Sequence, residues 1–385
     1  MLRQIFIVSA LNFKGLRGRF WQSMVIVVGL AATIGVMLSM LSMSAGMRQA
    51  YFNAGDPNRA IVVSKGAEQE GQSSITRAMA PLIADAPGIA KDKDGKPLAD
   101  RGLNMGVPVL RKDGSKGYTT MRGLADKGLG VRPELRIVAG RMFQRGKREM
   151  IVGVGAQAQF QHMQVGDKVI LPDGQWPIVG VFSTGDLLEG QLIGDTETLL
   201  TAMHKATYNA MLVRLASPGS LDTFKKALST NPALSVTVER HSDWYKRVAS
   251  QSTFGLALLG YVVGAVMAIG ALFGCLNTMY SAVSTRGREI ATLRALGYGA
   301  FPVAVSVILE AVMLSVTGAL IGAGLAWALY DGKQDAFNNS VFYLSVSRSQ
   351  IELGLVWAIA VALLGGLLPS IRAARRPVVE ALRAT

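Results

Sequence analysis

The chain has 385 residues, 50% of them hydrophobic, with a formal net charge of +14 and a mean hydropathy of +0.31. That mean is high for a soluble protein and low for one embedded throughout, so the apolar residues must be segregated. The basic excess does not read as a nucleic-acid surface, because it sits in short flanks of apolar runs, the pattern of membrane topology. Arg3, Lys14, Arg17 and Arg19 precede the first run; Arg286, Arg288 and Arg294 lie between two runs; Arg372, Arg375, Arg376 and Arg383 follow the last.

In chain order, residues 1–20 place Leu2, Ile5, Phe6, Phe13, Leu16 and Phe20 near helical spacing with basic residues between them. Two readings fit: a cytoplasmic amphipathic helix in the membrane interface, or an extension of the first span. Four runs are long and apolar enough to cross a bilayer, which needs about 20 such residues: 21–43, 254–282, 301–330 and 351–368. The first exceeds the roughly 7–15 apolar residues of a cleavable leader and is expected to stay. With the basic flanks inside, both termini are cytoplasmic in a bacterial inner membrane, as are 283–300 and the tail 369–385. Residues 44–253 and the loop 331–350 then lie outside.

The 44–253 segment is long enough for one or two domains. Strands are expected at Arg59–Ser64, Val107–Arg111, Tyr118–Gly123, Glu149–Val154, Lys168–Leu171, Trp176–Phe182, Ala210–Leu215 and Ser235–Glu239, and helices at Ser74–Ala84, Ala156–His162 and Leu221–Leu228. Pro172-Asp173-Gly174 reads as the turn of a hairpin. The predicted fold class is therefore a membrane protein of four transmembrane helices with a large α+β extracytoplasmic domain between the first and second. That domain has two parts, one split in sequence around a hairpin-rich insertion near 145–190. Tyr51-Phe52 and Asp243-Trp244-Tyr245 suggest that the first two spans continue outward as a stalk.

Chemistry-bearing motifs are lacking, so no catalytic residue, directly bound cofactor or metal site is expected. Gly153-x-Gly155-x-x-Ala158 imitates a dinucleotide fingerprint, but a hairpin follows where a long helix and an acid-terminated strand belong. Asp92-Lys93-Asp94-Gly95 lacks the later ligands of a calcium loop. His162, His204 and His241 are far apart. Gly95-Lys96, Gly146-Lys147 and Gly332-Lys333 are not followed by Ser or Thr, so no phosphate-binding loop is present. The one cysteine, Cys275, lies in an apolar run, so no disulfide stabilises the 44–253 segment.

Residues 283–300 carry the functional signal. Ile290, Leu293 and Leu296 recur at helical spacing, Arg288, Glu289 and Arg294 project elsewhere, and Gly297 supplies a stop. Such a helix can press into a groove on a partner or lie on lipid. Within the spans, Gly260-x-x-x-Gly264, Gly270-x-x-x-Gly274 and Gly318-x-x-x-Gly322 permit close helix approach. Glu310, an acid inside the third span, must face protein, with Asn277 or the N-terminal helix as its expected partner.

Thr285-Arg286-Gly287-Arg288-Glu289-Ile290, Leu293-Arg294-Ala295-Leu296-Gly297, Leu309-Glu310-Ala311 and Gly318-x-x-x-Gly322 closely resemble the FtsX-type permease core. So does the ending from Gly366 through Pro369, Arg372, Arg375, Pro377 and Glu380 to Arg383. The outer segment resembles the MacB-like periplasmic core in 148–155, 165–169 and 178–182. Thr285 departs from the pattern, since many relatives have Glu there. The resemblance to MacB/FtsX-type ABC transporter permeases implies mechanotransmission. ATP and Mg2+ would be held by a separate P-loop ABC ATPase that receives the coupling helix through Arg288, Glu289, Leu293 and Arg294. It further implies a second permease protomer, identical or paralogous, a periplasmic adaptor and an outer-membrane channel, and export of a small amphiphile or peptide. A lipoprotein-releasing permease, an FtsX-like regulator of cell-wall hydrolases and a non-transport membrane sensor remain as rivals.

Overall fold

The computed structural model describes residues 4–8, 20–337 and 340–375. Residues 4–8 are helical; the rest of the expected N-terminal helix, and the tail beyond 375, lie outside the described residues. Two compact units emerge, one of residues 1–45, 254–333 and 344–385, the other of 46–253 and 334–343.

The second unit begins within α1 (Phe20–Ala54) and is built on two sheets. The first is antiparallel and joins β1 (Arg59–Ser64), β2 (Ala99–Gly102), β10 (Ala210–Arg214) and β11 (Val236–Arg240) in the order β11-β1-β10-β2. Short helices α2 (Met79–Ala84) and α6 (Ser220–Ser229) accompany it; α6 buries Leu221, Phe224 and Leu228, the i, i+3, i+7 stripe of an amphipathic helix. The chain leaves this sheet after β2 and returns at β10. Between them it builds a mixed seven-stranded sheet from β3 (Asn104–Leu110), β4 (Lys116–Leu124), β5 (Arg136–Gly140), β6 (Met150–Gly153), β7 (Lys168–Leu171), β8 (Gly174–Ser183) and β9 (Gln191–Asp195). The connections include α3 (Gly128–Val131), α4 (Val154–Gln159) and, after β9, α5 (Thr196–Ala202).

The excursion therefore runs from about residue 104 to 195, which corrects the narrower insertion expected at 145–190. Its missing members, β5 and β9, carry weak strand signals. Every residue of β9 is buried, including Gln191 and Asp195, so no alternation marks it. β5 is mostly exposed and ends in Gly140.

The expected hairpin is present: β7 pairs with β8 from Lys168↔Pro177 to Leu171↔Gly174. Its turn is tied to the core, because the buried Trp176 indole donates to Asp173 Oδ1 at 2.9 Å and Arg148 pairs with Asp173 at 3.0 Å. A second clasp closes the loop from β5 to β6. Arg141 donates through both terminal nitrogens to Glu149 at 2.7 and 2.8 Å, and the Gln144 amide adds a third bond at 2.9 Å. The Arg141 guanidinium holds the Glu149 carboxyl down to about 2.

The first unit contains α1, α7 (His241–Thr285), α8 (Gly287–Ala295), α9 (Ala300–Tyr330) and α10 (Arg348–Arg375). Four of these are long and apolar enough to cross a membrane. Between α9 and α10 the hairpin β12 (Gln334–Phe337) and β13 (Ser340–Tyr343) groups with the α+β unit. α1 is the hub: Leu30, Ile34, Met37 and Leu38 are buried, and its side chains meet all three other spans. Against α9 the approach is closest, where a Cβ at Gly318 would lie 2.6 Å from the Val27 carbonyl oxygen and one at Gly322 2.3 Å from that of Ala31. Gly260 and Gly264 of α7 sit against Met40 and Met37. Two contacts were not anticipated: Gly365 of α10 on Cys275 of α7, and Gly366 on Ala311 of α9.

Gly270 and Gly274 differ. A Cβ at either meets nothing within 4 Å among the described residues, so neither makes the expected close approach to one of them. They lie on an outward face of α7 with the exposed Val266, Ile269 and Phe273.

Gly322→Val is expected to destabilise the membrane unit by about 2 kcal/mol or more, because the opposing atoms are backbone and cannot step aside. Gly270→Val should stay within about 0.5 kcal/mol; thermal unfolding in detergent separates the two. In the α+β unit, Glu149 ionises more readily folded than unfolded. Its contribution is complete above about pH 4.5 and is lost as pH falls toward 2. The stability gap between the parent and Glu149→Gln should accordingly close over that window in pH-dependent unfolding.

Candidate coupling site

The loop between the second and third spans folds as α8, a helix of nine residues. It ends as the sequence requires. Gly297 has φ +91°, a left-handed conformation that favours glycine. The Gly297 amide donates to the Arg294 carbonyl and the Tyr298 amide to that of Leu293, both at 3.1 Å, the paired bonds of a Schellman cap.

The helix has two faces. Gly287, Ile290 and Ala291 are buried, with Leu293 and Arg294 half-buried. Arg288, Glu289, Thr292, Ala295 and Leu296 are exposed and follow helical spacing, Leu296 at 72%. Ile290 is thus withdrawn from any partner-facing role: it belongs to the membrane unit's own core and holds the helix in place. Thr292, a small polar residue outside the apolar spacing, joins the outward face instead.

Arg286, the residue between α7 and α8, is the anchor. Its Nη1 lies 3.2 Å from Oε2 of Glu310, and its Nε donates to Glu289 Oε2 at 2.9 Å. Glu310 is 3% exposed, as an acid within a span should be. Arg286 is thus a partner of Glu310 beyond the two expected, Asn277 and the N-terminal helix, most of which lies outside the described residues. The signal was available in the chain: a buried carboxylate calls for a cation, and Arg286 is a basic residue of the adjoining loop.

The two helices that enter the α+β unit meet at their ends. A Cβ on Gly55 would lie 2.8 Å from Ser242 Cα, so the backbones touch. The Asp56 amide donates to His241 Nδ1 at 3.2 Å, and the rings of Tyr51 and Tyr245 are 6.0 Å apart. Beside this junction Arg59 makes a two-pronged pair with Glu134 at 2.7 and 2.6 Å. The glycine motif at Gly153 has a packing cause, since a Cβ there would meet the Glu189 carbonyl oxygen at 2.1 Å. Among the described residues no cluster of three or more His, Cys, Asp or Glu could hold a metal ion.

Residues 23–231 match the MacB-like periplasmic core domain, and residues 261–378 the FtsX-like permease C-terminal domain. The uncharacterized ABC transporter permease YvrN of Bacillus subtilis is 24% identical over 93% of both chains. The macrolide export ATP-binding/permease protein MacB of Psychrobacter cryohalolentis is 28% identical over 37% of this chain, which spans 21% of that protein. The crystal structure of the periplasmic region of MacB from Actinobacillus actinomycetemcomitans aligns over 51% of this chain and 94% of that one, at 14% identity and a TM-score of 0.39.

Removing Arg286 alone should be worse than removing both members of the pair. Arg286→Met leaves Glu310 buried without that partner and is expected to cost about 3–5 kcal/mol. Arg286→Met combined with Glu310→Leu should recover most of the loss, as read by detergent-phase thermal unfolding in a double-mutant cycle.

Proposed function

The chain belongs to the MacB/FtsX-type ABC transporter permeases, and from that premise we propose that it couples ATP hydrolysis on a separate P-loop subunit to movement of its α+β domain. ATP and Mg2+ are held by that subunit, and this chain binds neither directly. Two permease protomers, identical or paralogous, sit in the inner membrane with their termini in the cytoplasm. The α+β domain works outside, with a periplasmic adaptor and an outer-membrane channel, to export a small amphiphile or peptide.

The observation that carries this reading is the build of α8. It is a short helix riveted to its own bundle by Ile290 and the Arg286–Glu310 pair, with a charged and apolar face left outward. A helix meant only to lie on lipid would turn its leucines one way and its charges the other. Here Arg288, Glu289 and Leu296 share the exposed side, which suits a protein groove with both apolar and ionic contacts. The continuity of α7 supports the mechanical part. It runs 45 residues without a break, about 68 Å at 1.5 Å per residue, more than twice the hydrocarbon thickness of about 30 Å.

Leu296→Asp and Arg288→Glu should each weaken co-purification of the ATPase subunit at least ten-fold, with little change in the permease's unfolding temperature. Arg294→Glu, on the half-buried flank, should uncouple hydrolysis from transport. Full coupled transport by all three variants, or a purified active complex with no nucleotide-hydrolysing companion, would overturn the proposal.

A further inference from the structure

The register of the seven-stranded sheet gathers a polar patch on one face of the α+β unit. Gly106 pairs with Thr120, which pairs with Gln191; two residues along, Asn104 pairs with Arg122. Residues two apart on a strand share a face. Gly106 contributes no side chain, and a cavity of about 260 Å3 remains over the patch. The turn at Glu70 and three aromatic residues, Tyr51, Trp244 and Tyr245, form its other walls.

The chemistry of the lining is two-sided. Glu70 and Arg122 are its two charged groups, and they pair at 2.9 Å, so the cavity has no net charge. The Asn104 amide also donates to Glu70 Oε2, at 3.0 Å, and Arg122 Nε donates to Gln191 Oε1 at 2.9 Å. These bonds use one oxygen of the acid and two nitrogens of the base. Among the described residues, none engages Glu70 Oε1, Arg122 Nη2 or the Gln191 amide nitrogen. Burial alone would raise the Glu70 carboxyl, but Arg122 and Asn104 outweigh it and hold the group below its usual range. An acceptor that stays ionised and a set of cationic and amide donors thus face one polar space.

A simple anion there would meet Glu70, and a simple cation would meet Arg122. A ligand with both charges satisfies both. We propose that this cavity binds short free peptides, the ammonium on Glu70 Oε1, the carboxylate on Arg122 Nη2 and the Gln191 amide, and a side chain against Tyr51 and Tyr245. The volume falls just under the range of about 300–1,000 Å3 usual for ligand pockets, which favours a dipeptide over a longer chain. The site needs only a folded α+β unit, so it stands or falls separately from the coupling function of α8.

Calorimetric titration of the full-length chain in detergent micelles tests this with free Gly-Phe and Gly-Leu and their N-acetylated, amide-capped forms. The free dipeptides should bind saturably, and the capped forms at least ten-fold more weakly. Glu70→Gln should lose at least ten-fold in affinity. Gly106→Val places a side chain at an exposed strand position that lines the cavity; it should abolish binding while the unfolding temperature holds. No binding at millimolar peptide, equal binding of capped and free forms, or undiminished binding to Gly106→Val would each overturn the proposal.

Discussion

A carboxylate inside an apolar span sets the terms for the membrane unit. Glu310 is almost wholly buried on α9, and a charge there is costly unless a cation meets it. Arg286, which stands at the joint between α7 and α8, is a cation that does so. That pairing fixes where the loop must return, and with Ile290 in the core it determines which side of α8 is left outward. A nine-residue helix would be marginal alone in water. Here its position is set by a buried ion pair at one end and its length by the Gly297 cap at the other.

The α+β unit solves a different problem with similar parts. Its two sheets and two helix ends meet a layer of charge built from Arg59, Glu134, Glu70 and Arg122. Ion pairs with low exposure add little net stability over apolar packing, but breaking one is expensive. They also tolerate only a narrow set of geometries, which suits a junction where strands distant in sequence must find one another. β1, β2, β10 and β11 are separated by a long excursion, and pairing them late brings a loop-closure penalty that local hairpins avoid.

The spans, the loop helix with its cap, and the β7–β8 hairpin were all readable from the chain, because each rests on local pattern: apolar run length, helical spacing, or turn residues. What escaped depends on tertiary context. β9 is polar at both ends, yet Gln191 and Asp195 are satisfied by Arg122 and by Arg145 and Thr198, bonds spanning up to 69 residues. β2, Ala-Asp-Arg-Gly, has no strand propensity and is held by pairing with β10. The glycine motifs show the same limit. Gly318 and Gly270 sit in identical spacing patterns, but one is pressed on α1 and the other faces outward, a difference that depends on which way each helix is turned. Helical spacing groups Ile290 with Leu296 as one apolar stripe; only the folded helix divides them, Ile290 in the core and Leu296 outward.

The lone cysteine has a practical consequence. Cys275 is fully enclosed where α7 meets Gly365 of α10, so an aqueous thiol reagent finds nothing to react with in the folded native chain. The protein is therefore a natural blank for site-directed spectroscopy. A single thiol introduced at the tip of either sheet, or on the exposed face of the loop helix, would carry a spin label or fluorophore against a silent background. Distances between such labels could then be followed through a turnover cycle without first rebuilding the bundle around a replaced residue.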